Sequence, residues 1–186
     1  MGVNWRTGLM RWKPHTGKDG TQYPLNHLHP FRYDVVLAAK GGLPEKTINV
    51  HVGFGMHCFT KKVEPEDCPH DSYADDRETR TFDRLRYELS RALRMVARTL
   101  PERACAFAKN ENFVTVDVST ESGLTHRYGV FFNMKRWPAQ GTNAVLVTIQ
   151  SAYGLDPAKP SPERGKIRFN VLLGHVMRGT RPVAPR

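Results

Sequence analysis

Residues 47–59 alternate between an apolar and a mostly polar set of side chains over thirteen consecutive positions. The apolar set is Ile48, Val50, Val52, Phe54, Met56 and Cys58. Because successive side chains of a β-strand point to opposite sides of the sheet, this pattern predicts a long strand with one face on a hydrophobic core. Residues 31–38 also have the character of a strand, and the turn residues between the two segments predict an antiparallel hairpin.

Residues 82–100 show the three- and four-residue apolar spacing of an amphipathic helix. The spaced residues are Phe82, Leu85, Leu89, Leu93, Val96 and Leu100. Thr81 is a suitable N-cap and Pro101 a suitable stop, so we expect one continuous helix whose apolar stripe packs on a sheet.

The remaining segments complete an α+β pattern. Residues 61–80 are polar and acidic and are expected to form a long loop, and residues 167–177 predict a strand that leads into a helix. Further strands are predicted, the last three as a meander, at residues 104–108, 113–118, 126–134 and 143–153. The expected fold is an antiparallel sheet of five to six strands with one main amphipathic helix packed on it and extended N- and C-terminal arms.

The expected division of the chain follows its turn-forming and basic segments. Glycine and proline interrupt the first residues without any period, so residues 1–22 are expected to be an arm, and its apolar residues Trp5, Leu9, Met10 and Trp12 indicate that it docks on some other surface. Residues 23–177 are expected to form a single α+β domain, and residues 178–186 a basic C-terminal tail.

The charge balance is the unusual feature of the composition. Against 18 Asp and Glu, 28 Lys and Arg give a formal net charge of +10. This surplus indicates a polyanionic partner, RNA foremost, with DNA, the ribosome or an acidic protein as alternatives. Three cysteines, an odd number, fit a reducing compartment, so a cytoplasmic location is expected. No apolar run approaches the roughly 18 residues of a membrane-spanning helix, and no membrane partner is expected.

Basic and aromatic residues outline a candidate nucleic-acid surface. Its members are Arg84, Arg91, Arg94, Arg98, Lys135, Arg136, Trp137 and Arg168. The first four recur at spacings that place them together on the solvent side of the predicted helix. Guanidinium groups form paired hydrogen bonds with phosphates, and an exposed Trp ring can stack on bases. The alternative is an ordinary solvated helix face with a basic tail.

A second set of residues has the chemistry of a metal-independent ribonuclease. Its members are His57, Arg77, Glu78, Arg80 and Tyr153. Such an enzyme needs a base for the 2′-hydroxyl proton, an acid for the leaving oxygen and cations for the charged phosphorane. His57 can serve as acid or base, and Glu78 as base or as the group that orients His57. Arg77 and Arg80 can clamp the phosphate. The alternative is a salt-bridged loop that caps the helix.

A zinc site is a weaker alternative at the same place. His57, Cys68 and His70 lie within fourteen residues and offer the imidazole and thiolate ligands that zinc takes. No CxxC or HxxxH pair accompanies them, and alternation puts His57 and Cys58 on opposite faces of the strand. We therefore expect no cofactor, with zinc held by these three residues as the alternative.

Several short phrases carry a family resemblance. They are His27-x-His29-Pro30-Phe31, His57-Cys58-Phe59-Thr60, Arg77-Glu78-x-Arg80-x-Phe82, Arg86-Tyr87-Glu88-Leu89-Ser90 and Gln150-Ser151-Ala152-Tyr153. Together they resemble a set of small, uncharacterised bacterial proteins often associated with mobile elements, over roughly residues 23–177. A helix followed by a meander is also similar in architecture to the RelE-type ribosome-dependent ribonuclease toxins, from which no catalytic residue can be carried over.

These observations lead to one expected function and two alternatives. The expected function is RNA binding, with metal-independent endoribonuclease activity of the toxin or defence type as its enzymatic form. One alternative is a non-enzymatic mobile-element regulator or inhibitor that binds nucleic acid or a partner protein. The other is an interaction domain supported by zinc.

Overall fold

A computed structural model describes residues 9–107, 112–160, 165–180 and 182 of the chain. The N-terminal half contains β1 (His15–Thr16), β2 (Gln22–Tyr23), β3 (Phe31–Leu37), β4 (Lys46–His57), β5 (Thr60–Lys61), β6 (Ser72–Ala74) and β7 (Thr79–Phe82). The C-terminal half contains α1 (Arg84–Ser90), α2 (Leu93–Arg98), β8 (Ala104–Phe107), β9 (Asn112–Ser119), β10 (Thr125–Arg136), β11 (Ala144–Gly154), β12 (Lys166–Arg168) and α3 (Phe169–Arg178).

A large mixed sheet forms the centre of the molecule. Over the described residues it has seven strands in the order β12-β8-β9-β10-β11-β4-β3. The predicted sheet of five to six antiparallel strands is therefore corrected in number and in direction, because β4 pairs with β11 in parallel. The alternation along a strand shows which side chains face the core, but it does not show which strand lies beside it. The pairing of β4 with β11, some ninety residues away, therefore could not be predicted from local sequence.

The predicted strand at 47–59 and the hairpin with residues 31–38 are confirmed. β4 pairs antiparallel with β3 from Lys46 to Val52. All six apolar residues of the alternating set are buried in the main core. The three-stranded meander β9-β10-β11, the short strand β8 and the strand-to-helix segment β12-α3 are also where the sequence predicts them.

The single helix predicted at 82–100 is wrong in its extent. Phe82 ends β7 by pairing with Thr60, and Asp83, rather than Thr81, caps α1 by accepting the Arg86 amide at 2.8 Å. α1 and α2 are then separated at Arg91 and Ala92, whose amides bond three residues back, to Glu88 and Leu89. Leu85 is 44% exposed instead of buried, whereas Leu89, Leu93, Val96 and Leu100 of the predicted stripe are buried on both sides of the break.

The long loop predicted at 61–80 is also corrected. It contains β6 and β7, which join β5 in a small antiparallel sheet of order β5-β7-β6. These strands are short and many of their side chains are exposed, so they lack the apolar alternation by which a strand is recognised. The small sheet begins just after β4 ends. It places the acidic segment 75–78 next to the last residue of β4.

The described part of the N-terminal arm packs on the large sheet. Trp12 is buried and its indole Nε1 donates to the Phe54 carbonyl oxygen at 3.0 Å. The Tyr73 hydroxyl donates to the Lys13 carbonyl oxygen at 2.8 Å. Residues 1–8 of the predicted arm, and residues 181 and 183–186 of the predicted basic tail, lie outside the described residues.

No helix in the described ranges has the length and apolar character needed to cross a membrane.

Candidate functional site

A histidine–glutamate pair lies where the large and small sheets meet. His57 is the last residue of β4, and its Nε2 is 2.8 Å from Oε1 of Glu78. Glu78 is placed by a tight turn in which the backbone amides of Arg77 and Glu78 donate to Oδ1 of Asp75 at 2.9 and 3.1 Å. The side chains of His57 and Glu78 are 40% and 38% exposed, so the pair is open to solvent.

Arg80 completes this cluster from the less exposed side. Its Nη1 is 3.4 Å from Oε2 of Glu78, and its Nε donates to Oγ1 of Thr60 at 2.9 Å. The Thr60 hydroxyl in turn donates to the Met56 carbonyl oxygen at 2.8 Å. The Arg80 side chain is only 13% exposed, so it holds the carboxylate rather than reaching into solvent.

The electrostatics of the cluster keep the Glu78 carboxylate ionised. Burial alone would raise the pKa of Glu78, but the hydrogen bond and charge of His57 and the charge of Arg80 outweigh it, so the pKa lies below its usual value. When the imidazole is neutral, a carboxylate that accepts from Nε2 leaves Nδ1 with the lone pair, which is the arrangement of a general base.

Arg86, which the sequence analysis did not select, joins the cluster to Tyr153. Its Nη1 donates to the carbonyl oxygens of His57 and Thr60 at 3.1 and 2.9 Å. Its guanidinium carbon is 5.1 Å from the centre of the Tyr153 ring. Burial lowers the pKa of Arg86. Apolar spacing gave no signal for Arg86, because its importance depends on carbonyl groups that are distant in sequence.

Arg77 does not join the cluster. Its Nη2 and Nε lie 2.6 and 3.0 Å from Oδ2 of Asp75, within the same turn. Of the five catalytic candidates, the structure therefore brings together His57, Glu78 and Arg80, connects Tyr153 through Arg86, and pairs Arg77 elsewhere.

The eight candidate nucleic-acid-binding residues do not form one cluster. Arg84 pairs with Glu88 at 3.2 Å, and Arg91 pairs with Glu121. Two others lie over the Phe31 ring, with guanidinium-to-centroid distances of 4.5 Å for Arg94 and 5.3 Å for Arg98.

The other four candidates are spread along and across the large sheet. Lys135 and Arg136 are exposed at the end of β10, and the Trp137 ring meets the His51 ring edge-on at 4.9 Å. Arg168 is on β12, at the edge of the sheet opposite β3. The positive charge is therefore distributed over several surfaces, and part of it is neutralised locally.

The described residues contain no group of three or more His, Cys, Asp or Glu side chains arranged to hold a metal ion. His57, Cys68 and His70 thus do not form an assembled ligand set there, and the Nε2 of His57 is occupied by Glu78.

A second histidine, His27, forms a hydrogen-bonded pair with Ser90 away from this cluster. The His27 Nε2 is 2.7 Å from Oγ of Ser90, whose hydroxyl donates to the Tyr87 carbonyl oxygen at 2.7 Å. The imidazole must therefore donate to Ser90, which assigns the proton to Nε2. Because Ser90 is fully buried, this pair is structural. Burial, reinforced by the charge of Arg91, lowers the pKa of His27 from 6.5 to about 4.

Stability should consequently fall as the pH is lowered from 7 to 4. The unfolded chain takes up a proton near pH 6.5, whereas folded His27 resists it until about pH 4, so acid favours unfolding in this window. Because the ring is partly exposed, we discount the effect, and we expect His27 to lower the free energy of unfolding by roughly 1–2 kcal/mol at pH 5 relative to pH 7.

Urea unfolding at pH 7 and pH 5 measures this loss. His27→Gln keeps an amide donor for Ser90 without a titrating group, so the difference between the two pH values should shrink. His70→Gln, which removes an exposed imidazole, is the matched control. An unchanged pH dependence in His27→Gln would show that other groups cause it.

Comparison with known proteins gives a family but no relative of known activity. The model of the YjaZ family matches residues 13–177. No curated protein matches the chain, and no solved structure matches it.

Proposed function

We propose that this chain, which belongs to the YjaZ family, binds RNA and cleaves it without a metal ion, with His57 as the general base. The observation that carries the proposal is the half-exposed His57 imidazole, held through Nε2 by the ionised Glu78.

The proposed reaction uses the 2′-hydroxyl of RNA as the nucleophile. Nδ1 of His57 takes the 2′-hydroxyl proton while the 2′-oxygen attacks the adjacent phosphorus. The bond from phosphorus to the 5′-oxygen breaks, that oxygen takes a proton from water, and the products carry a 2′,3′-cyclic phosphate and a 5′-hydroxyl. Glu78 stabilises the imidazolium that forms, as a carboxylate does for the histidine of a catalytic triad.

Positive charge around the cluster supports a phosphodiester substrate. Arg80 and Arg86 lie beside the pair, and the whole chain carries a formal net charge of +10. Their field favours the negative charge that develops on phosphorus. Arg80 acts mainly by positioning Glu78, because it is bonded to that carboxylate and is mostly shielded from solvent.

Incubation of the full chain with single-stranded RNA in excess EDTA tests the proposal. We expect RNA to be cut and DNA of the same sequence to stay intact, since DNA lacks the nucleophile. Ribosomes are added in a parallel reaction, in case they present the RNA. Intact RNA in both reactions would refute the proposed cleavage.

A non-enzymatic RNA-binding regulator is the second candidate. It is favoured by the position of Tyr153, whose ring stacks on Phe131 at 5.2 Å and lies near Arg86, as a packing residue does. This alternative predicts affinity that falls steeply with salt and no turnover. Binding that is insensitive to salt would exclude it.

A further inference from the structure

A pocket of about 810 Å³ opens where β10 begins and β11 ends. Its walls come from α1, from the first residues of β10 and from the segment that follows β11. This volume falls in the range of small-molecule sites. Apart from Tyr153, none of its lining residues belongs to the candidate site predicted from the sequence.

The pocket is rich in positive charge. Arg86, Arg127 and Lys159 line it, and Asp156 is the one carboxylate among the described lining residues. The Lys159 ammonium lies 3.8 Å from the Asp156 carboxylate, and its side chain is 79% exposed. Three cations against one anion leave a net positive charge in a concave site, which favours a phosphate group.

One side of the pocket is lined by an aromatic ring and a histidine. The Tyr153 ring is fixed by stacking on Phe131, at an interplanar angle of 15°. The Nε2 atom of His126 is buried and has no hydrogen-bond partner among the described residues.

We infer that this pocket binds one nucleotide of a single-stranded RNA. Arg127 and Lys159 hold its phosphate, and its base packs against the edge of the Tyr153 ring, which also contacts Phe131 and the Arg86 guanidinium. Arg86 links the pocket to the histidine–glutamate pair, because it lines the pocket and donates to the carbonyl of His57. The inference rests on the proposed RNA binding and adds where the nucleotide next to the cleaved bond is recognised.

Calorimetric titration of the full chain with adenosine 3′-monophosphate tests the pocket. We expect saturable binding that inorganic phosphate competes away, and weaker binding of adenosine, which lacks the phosphate. The double substitution Arg127→Gln and Lys159→Gln should lower the affinity about tenfold or more, because it removes two charged hydrogen bonds.

A second double substitution, Lys40→Gln and Lys46→Gln, is the matched control. It removes the same charge from the turn between β3 and β4 and from the first residue of β4, roughly 35 Å from the end of that strand at about 3.3 Å per residue, and should leave the affinity unchanged. Equal losses in both double variants, or none in the first, would overturn the assignment of the pocket.

A chain that binds the nucleotide but leaves RNA intact would refute the proposed cleavage and retain the pocket. A chain that cuts RNA without affinity for the nucleotide would refute the pocket alone.

Discussion

Replacing His57 with asparagine should slow RNA cleavage by a factor of roughly 10² to 10⁴, the usual contribution of a general base. Asparagine has no group that takes a proton at neutral pH, although its amide can still donate a hydrogen bond toward Glu78. The rate is measured under single-turnover conditions in EDTA, so that product release does not mask the chemical step. His70→Asn is the matched control, since His70 is exposed in the segment before β6.

The substitution should leave folding intact, because the His57 side chain is 40% exposed. Its melting temperature is therefore expected to stay close to that of the unmodified chain. Cleavage at the unmodified rate in His57→Asn would remove this residue from the mechanism. Glu78→Gln provides an intermediate test: it keeps an acceptor for Nε2 but loses the charge that stabilises the imidazolium, so a smaller loss of rate is expected.

Gly55→Ala should destabilise the fold by about 3 kcal/mol, at the upper end of the usual cost of overpacking. A Cβ atom at Gly55 would lie 2.6 Å from the Gln150 carbonyl oxygen, which belongs to the backbone of the neighbouring strand β11. The pairing of β11 with β4 is irregular here, because Gly55 and Met56 of β4 lie opposite Gln150 alone, and Gln150 is also the extra residue of β11 in its pairing with β10. The strands β4 and β11 would have to separate to make room.

The same substitution at two further glycines should cost less. A Cβ at Gly129 would lie 2.9 Å from the side chain of Leu155, which can rotate away. A Cβ at Gly154 would meet nothing closer than 3.8 Å, an ordinary contact. The free energy of unfolding in urea should therefore fall most for Gly55→Ala, less for Gly129→Ala and least for Gly154→Ala. Any other order would show that the contact with the Gln150 carbonyl does not decide the cost.

The strands and their faces were predictable because alternation is a local signal that burial enforces. The apolar side of β4, the meander β9-β10-β11 and the passage from β12 into α3 all follow from it. The parallel pairing of β4 with β11 was not predictable, because it depends on which distant segment meets the strand. The break between α1 and α2 also escaped prediction, because apolar residues continue at helical spacing across it.

The candidate site was predictable in part for a similar reason. His57 and Glu78 could be selected because each follows a recognisable feature, the end of a strand and an acidic turn, and the structure places them 2.8 Å apart. The sequence alone does not show that Arg80 contacts Glu78 while Arg77 does not. Arg77 pairs with Asp75 instead, and this pairing depends on the geometry of a tight turn. Arg86 and the pocket depend on contacts between distant segments, which no single stretch of sequence records.

The end groups of the RNA fragments test the central claim most directly. RNA is incubated with the full chain in excess EDTA, and the new termini are identified by mass spectrometry. Cleavage in which the 2′-oxygen attacks phosphorus predicts a 2′,3′-cyclic phosphate on one fragment and a 5′-hydroxyl on the other. Fragments with a 3′-hydroxyl and a 5′-phosphate would contradict the account, since a water molecule would then have been the nucleophile.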